Sequence, residues 1–239
     1  MAMTRNVAGL STRPDDDGVF LNYSFLKPEA GSESNFTLSM QNLAFSVQNF
    51  SLDDDALMRT YSLGIAVGGK VLSIGSSNKI VQFRSSEQTQ GVFIVDAGLI
   101  FQPVSFLSIA ASARNLNEPL FADYQFQKEY SASISLKLLD QRIKILTEAA
   151  WYDDIIQLER ARFKSGISLV LLPEVELLVG GVLKQEITSI FSQKEEFFAM
   201  LQIPFFGGIR FLSTVRIDDQ KQLLRYSISL LIPLKTITF

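Results

Sequence analysis

The chain has 239 residues, a formal net charge of −3 and a composition that is 47% hydrophobic, which suits one large domain or one closed barrel. Cysteine and histidine are both absent, so disulfides, thiolate metal sites and cysteine nucleophiles are excluded, and the commonest general base and metal ligand are missing. The acidic balance argues against a nucleic-acid partner, and no run of 18 or more apolar residues supplies a transmembrane helix.

The N-terminal stretch MAMTRNVAGLST has no apolar h-region, so no secretory signal is expected within the chain. Residues 1–17 read as an N-terminal segment ahead of a first alternating strand, about Gly18–Leu26. A weak hairpin follows in LSMQNLAFSV, around Leu43. Five clearer hairpins come next, turning within IAVGGKVLSIGS, LIFQPVSFLSIAA, LKLLDQRIKILTEA, LVLLPEVELLVGG and QIPFFGGIRFLST. Their post-turn positions Leu72, Leu107, Ile145, Leu177 and Phe211 are spaced 35, 38, 32 and 34 residues apart. The longer polar connections are SNKIVQFRSSEQTQG, NLNEPLFADYQFQKE, DDIIQLE, KQEITSIFSQKEE and DDQKQ, and a last strand runs from about Gln222. The sum is about 14 strands of roughly 9–13 residues, with short turns at one end and long loops at the other. This predicts an all-β, up-and-down antiparallel β-barrel over 18–239. An even count puts both termini at the short-turn end.

A repeat near 35 residues also suits helical arrays. Strict period-two alternation in SASISLKLL, RIKILTEAAW, RFKSGISLVLL and LRYSISLLI excludes them. A β-propeller is a closer rival, but each repeat supplies two strands rather than four.

Sorting strands by parity gives an apolar list, including Tyr61, Leu63, Ile65 and Val67, then Val95, Ala97, Leu99 and Phe101, then Ile109 and Ile134. The opposite parity carries Ser62, Gly64, Asp96, Ser108, Ser131, Ser133 and many charges. The apolar face could be a protein core, as in a soluble sandwich or lipid-binding barrel, or it could meet lipid, with the polar face lining a lumen. Strand length, small Ser and Gly positions on the polar face, and a chain ending in Phe239 favour lipid. A terminal aromatic of this kind suits the insertion machinery that reads the last strand of bacterial outer-membrane barrels.

The expected lumen lining is Asp96, Arg114, Arg142, Lys144, Glu148, Arg160, Arg162, Lys164, Arg210, Arg216 and Arg225. Charges on the wet side of a sheet are usually solvated or paired across strands, here with Glu148, Glu174 and Glu176. The functional alternative is an electrostatic lining that favours an anionic head group. Asp96 reads as the cross-strand partner of an inward Arg or Lys. Catalysis is the weakest reading, because the acid pair Asp153–Asp154 sits in a loop and histidine is absent. No enzyme activity, cofactor or metal is expected.

YSLGIAVGGKVLSIGSS followed by VFIVDAGLIFQPVSFLSIAASARNL resembles the FadL-like superfamily of bacterial outer-membrane barrels, and within it the PorV-like branch. The matching positions are Asp96, Gly98, Leu99 and Pro103, then Leu107, Ser108, Asn115 and Leu116. RNVAGLS is similar to the family's NPAGL segment through Asn6, Ala8, Gly9 and Leu10, with Val7 in place of proline. The resemblance implies a 14-stranded barrel in a bacterial outer membrane, with membrane lipid around it. It implies passage or binding of hydrophobic or amphipathic solutes such as long-chain fatty acids. In the PorV-like branch it implies a scaffold or accessory that binds envelope or secretion proteins, for which EPLFADYQFQ and TSIFSQKEEFF offer aromatic loops. The family's signal peptide and N-terminal plug are not expected here, and residues 1–17 read as a periplasmic remnant of the plug region.

Overall fold

Large apolar residues alternating with small or polar ones favour extended backbone, because successive side chains of a strand point to opposite faces. In a computed structural model of the chain these stretches are all strands. The structure describes residues 8, 10, 18–26, 31–40, 42–51, 57–84, 89–121, 124–152, 161–173, 175–185, 193–205 and 208–234.

The strands are β1 (Gly18–Leu26), β2 (Ser32–Met40), β3 (Leu43–Ser51), β4 (Leu57–Gly68), β5 (Leu72–Arg84), β6 (Thr89–Val104), β7 (Leu107–Arg114), β8 (Leu120–Phe121), β9 (Tyr124–Gln125), β10 (Glu129–Leu138), β11 (Ile143–Tyr152), β12 (Arg162–Leu172), β13 (Val175–Gln185), β14 (Gln193–Pro204), β15 (Arg210–Asp218) and β16 (Leu223–Pro233). Fourteen of them form a closed antiparallel barrel in sequence order, and β8 pairs only with β9. Closure is the pairing of β1 with β16, from Gly18 opposite Pro233 to Leu26 opposite Arg225.

Two expected connections run several residues into barrel strands. SNKIVQFRSSEQTQG contributes the end of β5 and the start of β6, and KQEITSIFSQKEE the end of β13 and the start of β14. The alternation persists there, with Lys79, Val81 and Phe83 keeping the parity of Ser73 and Ser77. Polar residues on both faces near the rim hide it from hydropathy. Strand lengths also spread further than expected, from 8 residues in β7 to 16 in β6.

Burial decides between core and lipid. The fully buried side chains of greatest volume are all serines, Ser24, Ser73, Ser77 and Ser168, whereas Phe25, Val67, Phe93 and Ile134 are each at least half exposed. Thus the polar parity faces inward and the greasy parity forms the outer wall. An internal apolar core on that parity, the soluble alternative, is overturned. A continuous apolar exterior of this extent belongs against a partner or a membrane.

Outward aromatics gather at the long-loop end. Tyr23 packs edge-on against Phe25 at 4.8 Å, Phe25 stacks with Tyr226 at 6.4 Å, and Tyr130 lies 6.4 Å from Trp151. At the other end Phe101, Phe106, Phe205 and Phe211 are exposed. Two aromatic girdles around an apolar band are the surface signature of a membrane β-barrel.

Parity makes a sharp prediction. Ile134→Arg, outward and near the middle of β10, is expected to destabilise vesicle-folded protein by about 2–4 kcal/mol in urea titrations. Its inward neighbour Ser133→Arg is expected to cost under about 1 kcal/mol, since the new cation faces Glu148 across the strand pair. Equal costs at the two positions would refute the assignment of faces.

Candidate functional site

β6 outruns its neighbour β7, so its upper residues need other partners. The loop between β7 and β10 supplies them. Leu116 N donates to Val95 O at 2.8 Å. The Asn117 carboxamide accepts from Val95 N at 3.0 Å and donates to Phe93 O at 2.8 Å. One side chain thus imitates a strand residue. Asn115, at φ 55°, donates its backbone N–H to Asp96 Oδ1 at 3.0 Å and its amide to Gln127 O at 2.9 Å. Tied down this way, the loop packs Phe126 against the inward cluster Val81, Val92 and Ile94, beside Met58. The mouth at the long-loop end therefore has an apolar lining.

Below it the inward parity carries paired charges. Glu129 Oε1 accepts from Arg114 at 3.1 Å and from Arg162 at 3.2 Å. Lys79 pairs with Asp96. Glu33 takes Arg225 at 2.7 Å and Gln48 at 2.8 Å, and Arg216 reaches Glu196 at 3.3 Å. Near the short turns Lys144 binds Glu176 at 3.0 Å, and Ser168 donates to the same carboxylate. These pairs are half-buried, and each carboxylate holds its arginine or lysine against the wall.

Between the two charged levels lies an inward cavity of about 200 Å³. Ala110, Ser131, Ser133, Leu146, Leu178 and Phe198 are among its lining groups, with Glu148 and Lys164 at its edge. Its floor depends on two glycines. A Cβ on Gly180 would stand 2.5 Å from the Phe198 ring and 2.2 Å from the Ser165 carbonyl, and one on Gly166 would stand 3.4 Å from the ring. Glycine at both positions lets Phe198 lie flat on the strands. Lys164 Nζ sits 4.9 Å from the same ring centroid, a cation–π contact that holds its charge at the cavity edge. At the short-turn end Ala8 and Leu10 are buried, Leu10 against Ala44 and Ala66, and Ser73 donates to the Ala8 carbonyl.

Among the residues expected to line the lumen, Asp96, Arg114, Lys144, Glu148, Arg162, Lys164, Arg210, Arg216 and Arg225 lie on the inward parity. Only Glu148 and Lys164 border the cavity. Arg142 lies in the exposed β10–β11 turn. Arg160, Phe239, Glu174 and the Asp153–Asp154 pair lie outside the described residues. The expected pairing through Glu176 takes the form of the Lys144 contact, while no ion pair reaches Glu148 among the described residues. Sequence reading passed over Lys79, Glu33, Glu129 and Glu196 as counter-ions. It also missed Phe198, Leu146 and Leu178 as an inward apolar patch. Extending the parity sort to the strand ends finds the first group. The second is hidden because apolar inward residues break the expected alternation.

No family model and no curated protein sequence matches the chain. Solved structures do match in fold. The CymD monoaromatic hydrocarbon channel aligns at TM-score 0.65 and 11% identity, over 97% of this chain and 92% of that one. The Pseudomonas putida toluene transporter TodX aligns at 0.64 and 11%, over 96% and 91%. A Pseudomonas aeruginosa FadL homologue aligns at 0.61 and 9%, over 97% and 93%. The chain thus shares its fold with these outer-membrane channels, and that fold is the 14-stranded barrel the sequence resemblance implied.

The Phe126 contact is testable. Phe126→Ala removes the loop's apolar anchor and is expected to speed amide hydrogen exchange over 115–128 about tenfold, at a cost of ~1–2 kcal/mol to the closed loop. Exchange at β12–β13 should stay unchanged.

Proposed function

We propose that the protein is a channel of a bacterial outer membrane for small hydrophobic or amphipathic solutes. The observation that carries this is the Phe198 cavity, an apolar patch set into the inner wall between two levels of paired charges. A water-filled porin has no use for such a patch, whereas a solute with an apolar body gains from each one it meets. The mouth lined by Phe126, Met58, Val81, Val92 and Ile94 is a first such contact, and the cavity is a second. The charged levels between and below suit a solute with one polar end. Fold likeness to hydrocarbon channels supports the same reading.

Cavity size bears on the solute. About 200 Å³ takes a single ring, since an apolar cavity of roughly 150 Å³ holds benzene. Single-ring compounds therefore fit as they stand. A long-chain fatty acid would place one segment there and extend the remainder along the lumen, its carboxylate drawn to Lys164 or to the arginines above. Long loops face outward and short turns face the periplasm in such barrels, so solute would meet Phe126 first and Leu10 last. Ala8 and Leu10, buried at that end, would form part of a floor. The scaffold reading draws less support, because the 115–128 loop is spent on the barrel's own mouth.

Ala110→Phe, which fills the cavity from β7, is expected to weaken binding of a single-ring carboxylate about tenfold. Titration of the detergent-purified protein with 4-isopropylbenzoate and with laurate would read this. Proteoliposome uptake should fall in parallel. Absence of saturable binding for both probes, or binding indifferent to Ala110→Phe, would refute the channel site.

A further inference from the structure

The outer wall carries an unexpected charge. Lysine and arginine side chains described on the strands face inward, with two exceptions, Arg59 on β4 and Arg84 on β5. Arg59 shares its parity with Tyr61, Leu63 and Ile65, and Arg84 with Ile80 and Gln82. In the register Arg59 stands opposite Gln82, and Arg84 opposite Leu57, so the two arginines are diagonal neighbours. Such neighbours lie ~7–8 Å apart, close enough for both to reach one anion.

Among the described residues no carboxylate answers them. Arg59 Nε donates to Asn49 Oδ1 at 2.7 Å, and Nη1 to the Tyr61 hydroxyl at 3.3 Å. Asn49 in turn donates to Ser34 Oγ at 3.4 Å. These neutral partners fix the guanidinium in place and leave its charge uncompensated, with further N–H groups open to the outside. Arg84 is exposed. The patch lies at the long-loop end, in register with Tyr23 and bonded to Tyr61, at the girdle where membrane lipids place their head groups.

A second observation points to the same occupant. An apolar groove of about 530 Å³ crosses the outer face of β16, β1, β2 and β3. Its upper corner is Ser34 and Asn49, the residues that hold Arg59, and it descends past Phe36 and Leu21 towards Phe211 and Leu230. Acyl chains fit below and an anionic head fits above.

We propose that Arg59 and Arg84, with Asn49, Ser34 and the adjoining groove, form a binding site on the barrel exterior for a phosphate-bearing, multiply acylated lipid of the outer leaflet. The guanidinium groups take the phosphate oxygens, for which their planar donor sets are suited. The groove takes an acyl chain. The site rests on the barrel lying in a membrane but not on what the lumen conducts.

Native mass spectrometry of the folded protein tests it, with diphosphorylated lipid A and its enzymatically dephosphorylated form as competing probes. Wild type is expected to retain the phosphorylated probe about thirtyfold better, as two surface arginines would give. Arg59→Gln/Arg84→Gln is expected to lose that preference, and Arg59→Lys/Arg84→Lys to keep part of it. Heat-modifiable mobility on detergent gels reports folding separately. If the double variant does not fold, Arg84→Gln alone, at the exposed strand end, should lose about fivefold. Equal retention of the two probes by wild type, or a preference that survives in the folded glutamine variants, overturns the proposal. Displacement of the lipid by excess inorganic phosphate would overturn it too, since a free-anion site needs no groove.

Discussion

A strand set against lipid must find every backbone hydrogen bond within the sheet, and only a closed sheet leaves no edge. In this protein the last requirement falls on β1 and β16, which begin and end the barrel and pair from Gly18–Pro233 to Leu26–Arg225. Because the ladder satisfies the backbone, the outer wall can be largely apolar. Because the sheet closes on itself, its inner wall must be built from residues that fit. Serines carry that load: Ser24, Ser73, Ser77 and Ser168 are almost fully buried, positions that a water-soluble domain would give to leucine or valine.

The inner wall resolves into levels. Paired charges occupy the upper part, where Glu129 holds two arginines and Glu33 holds one, and recur near the short turns in the Lys144–Glu176–Ser168 cluster. Between them the wall is small or apolar, and glycines at 166 and 180 clear the space in which Phe198 lies. The mouth follows from a mismatch in strand length. β6 extends beyond β7, its exposed backbone recruits Asn117, and the same loop then delivers Phe126 to the interior. An apolar mouth and an apolar waist are thus separated by a charged band, an arrangement that handles molecules with both kinds of surface.

Inside and outside obey opposite charge rules. The inward cations Lys79, Arg114, Lys144, Arg162, Arg216 and Arg225 are matched by Asp96, Glu129, Glu176, Glu196 and Glu33. Among the described residues, the outward Arg59 has amide and hydroxyl partners only, and Arg84 stands exposed beside it. Placed against lipid tails an unmatched arginine would be costly, by a few kcal/mol at mid-membrane and far less at the interface. Its position at the girdle, bonded to Tyr61, is the place on the exterior where that cost is smallest.

Alternation was enough to read the strands, the hairpin order and the pairing of short turns with long loops, since period two survives in every hairpin from LSMQNLAFSV to QIPFFGGIRFLST. It also assigned Leu107, Ile109, Ala111 and Ala113 to one face and Ser108, Ser112 and Arg114 to the other. Those are local properties of a chain whose side chains must alternate. Alternation could not say which face was outside, because a soluble core and a lipid surface give the same period. Burial of serine and exposure of phenylalanine decided that. Nor could it bring Lys79 to Asp96, Arg162 to Glu129 or Phe198 over Gly180. Such contacts join residues 15 to 33 positions apart in some cases and nearly the whole chain in the Arg225–Glu33 pair, which are 192 apart. Register and closure set such distances. The sequence by itself determined the strands and their two faces; the tertiary structure decided which face met lipid and which side chains met each other.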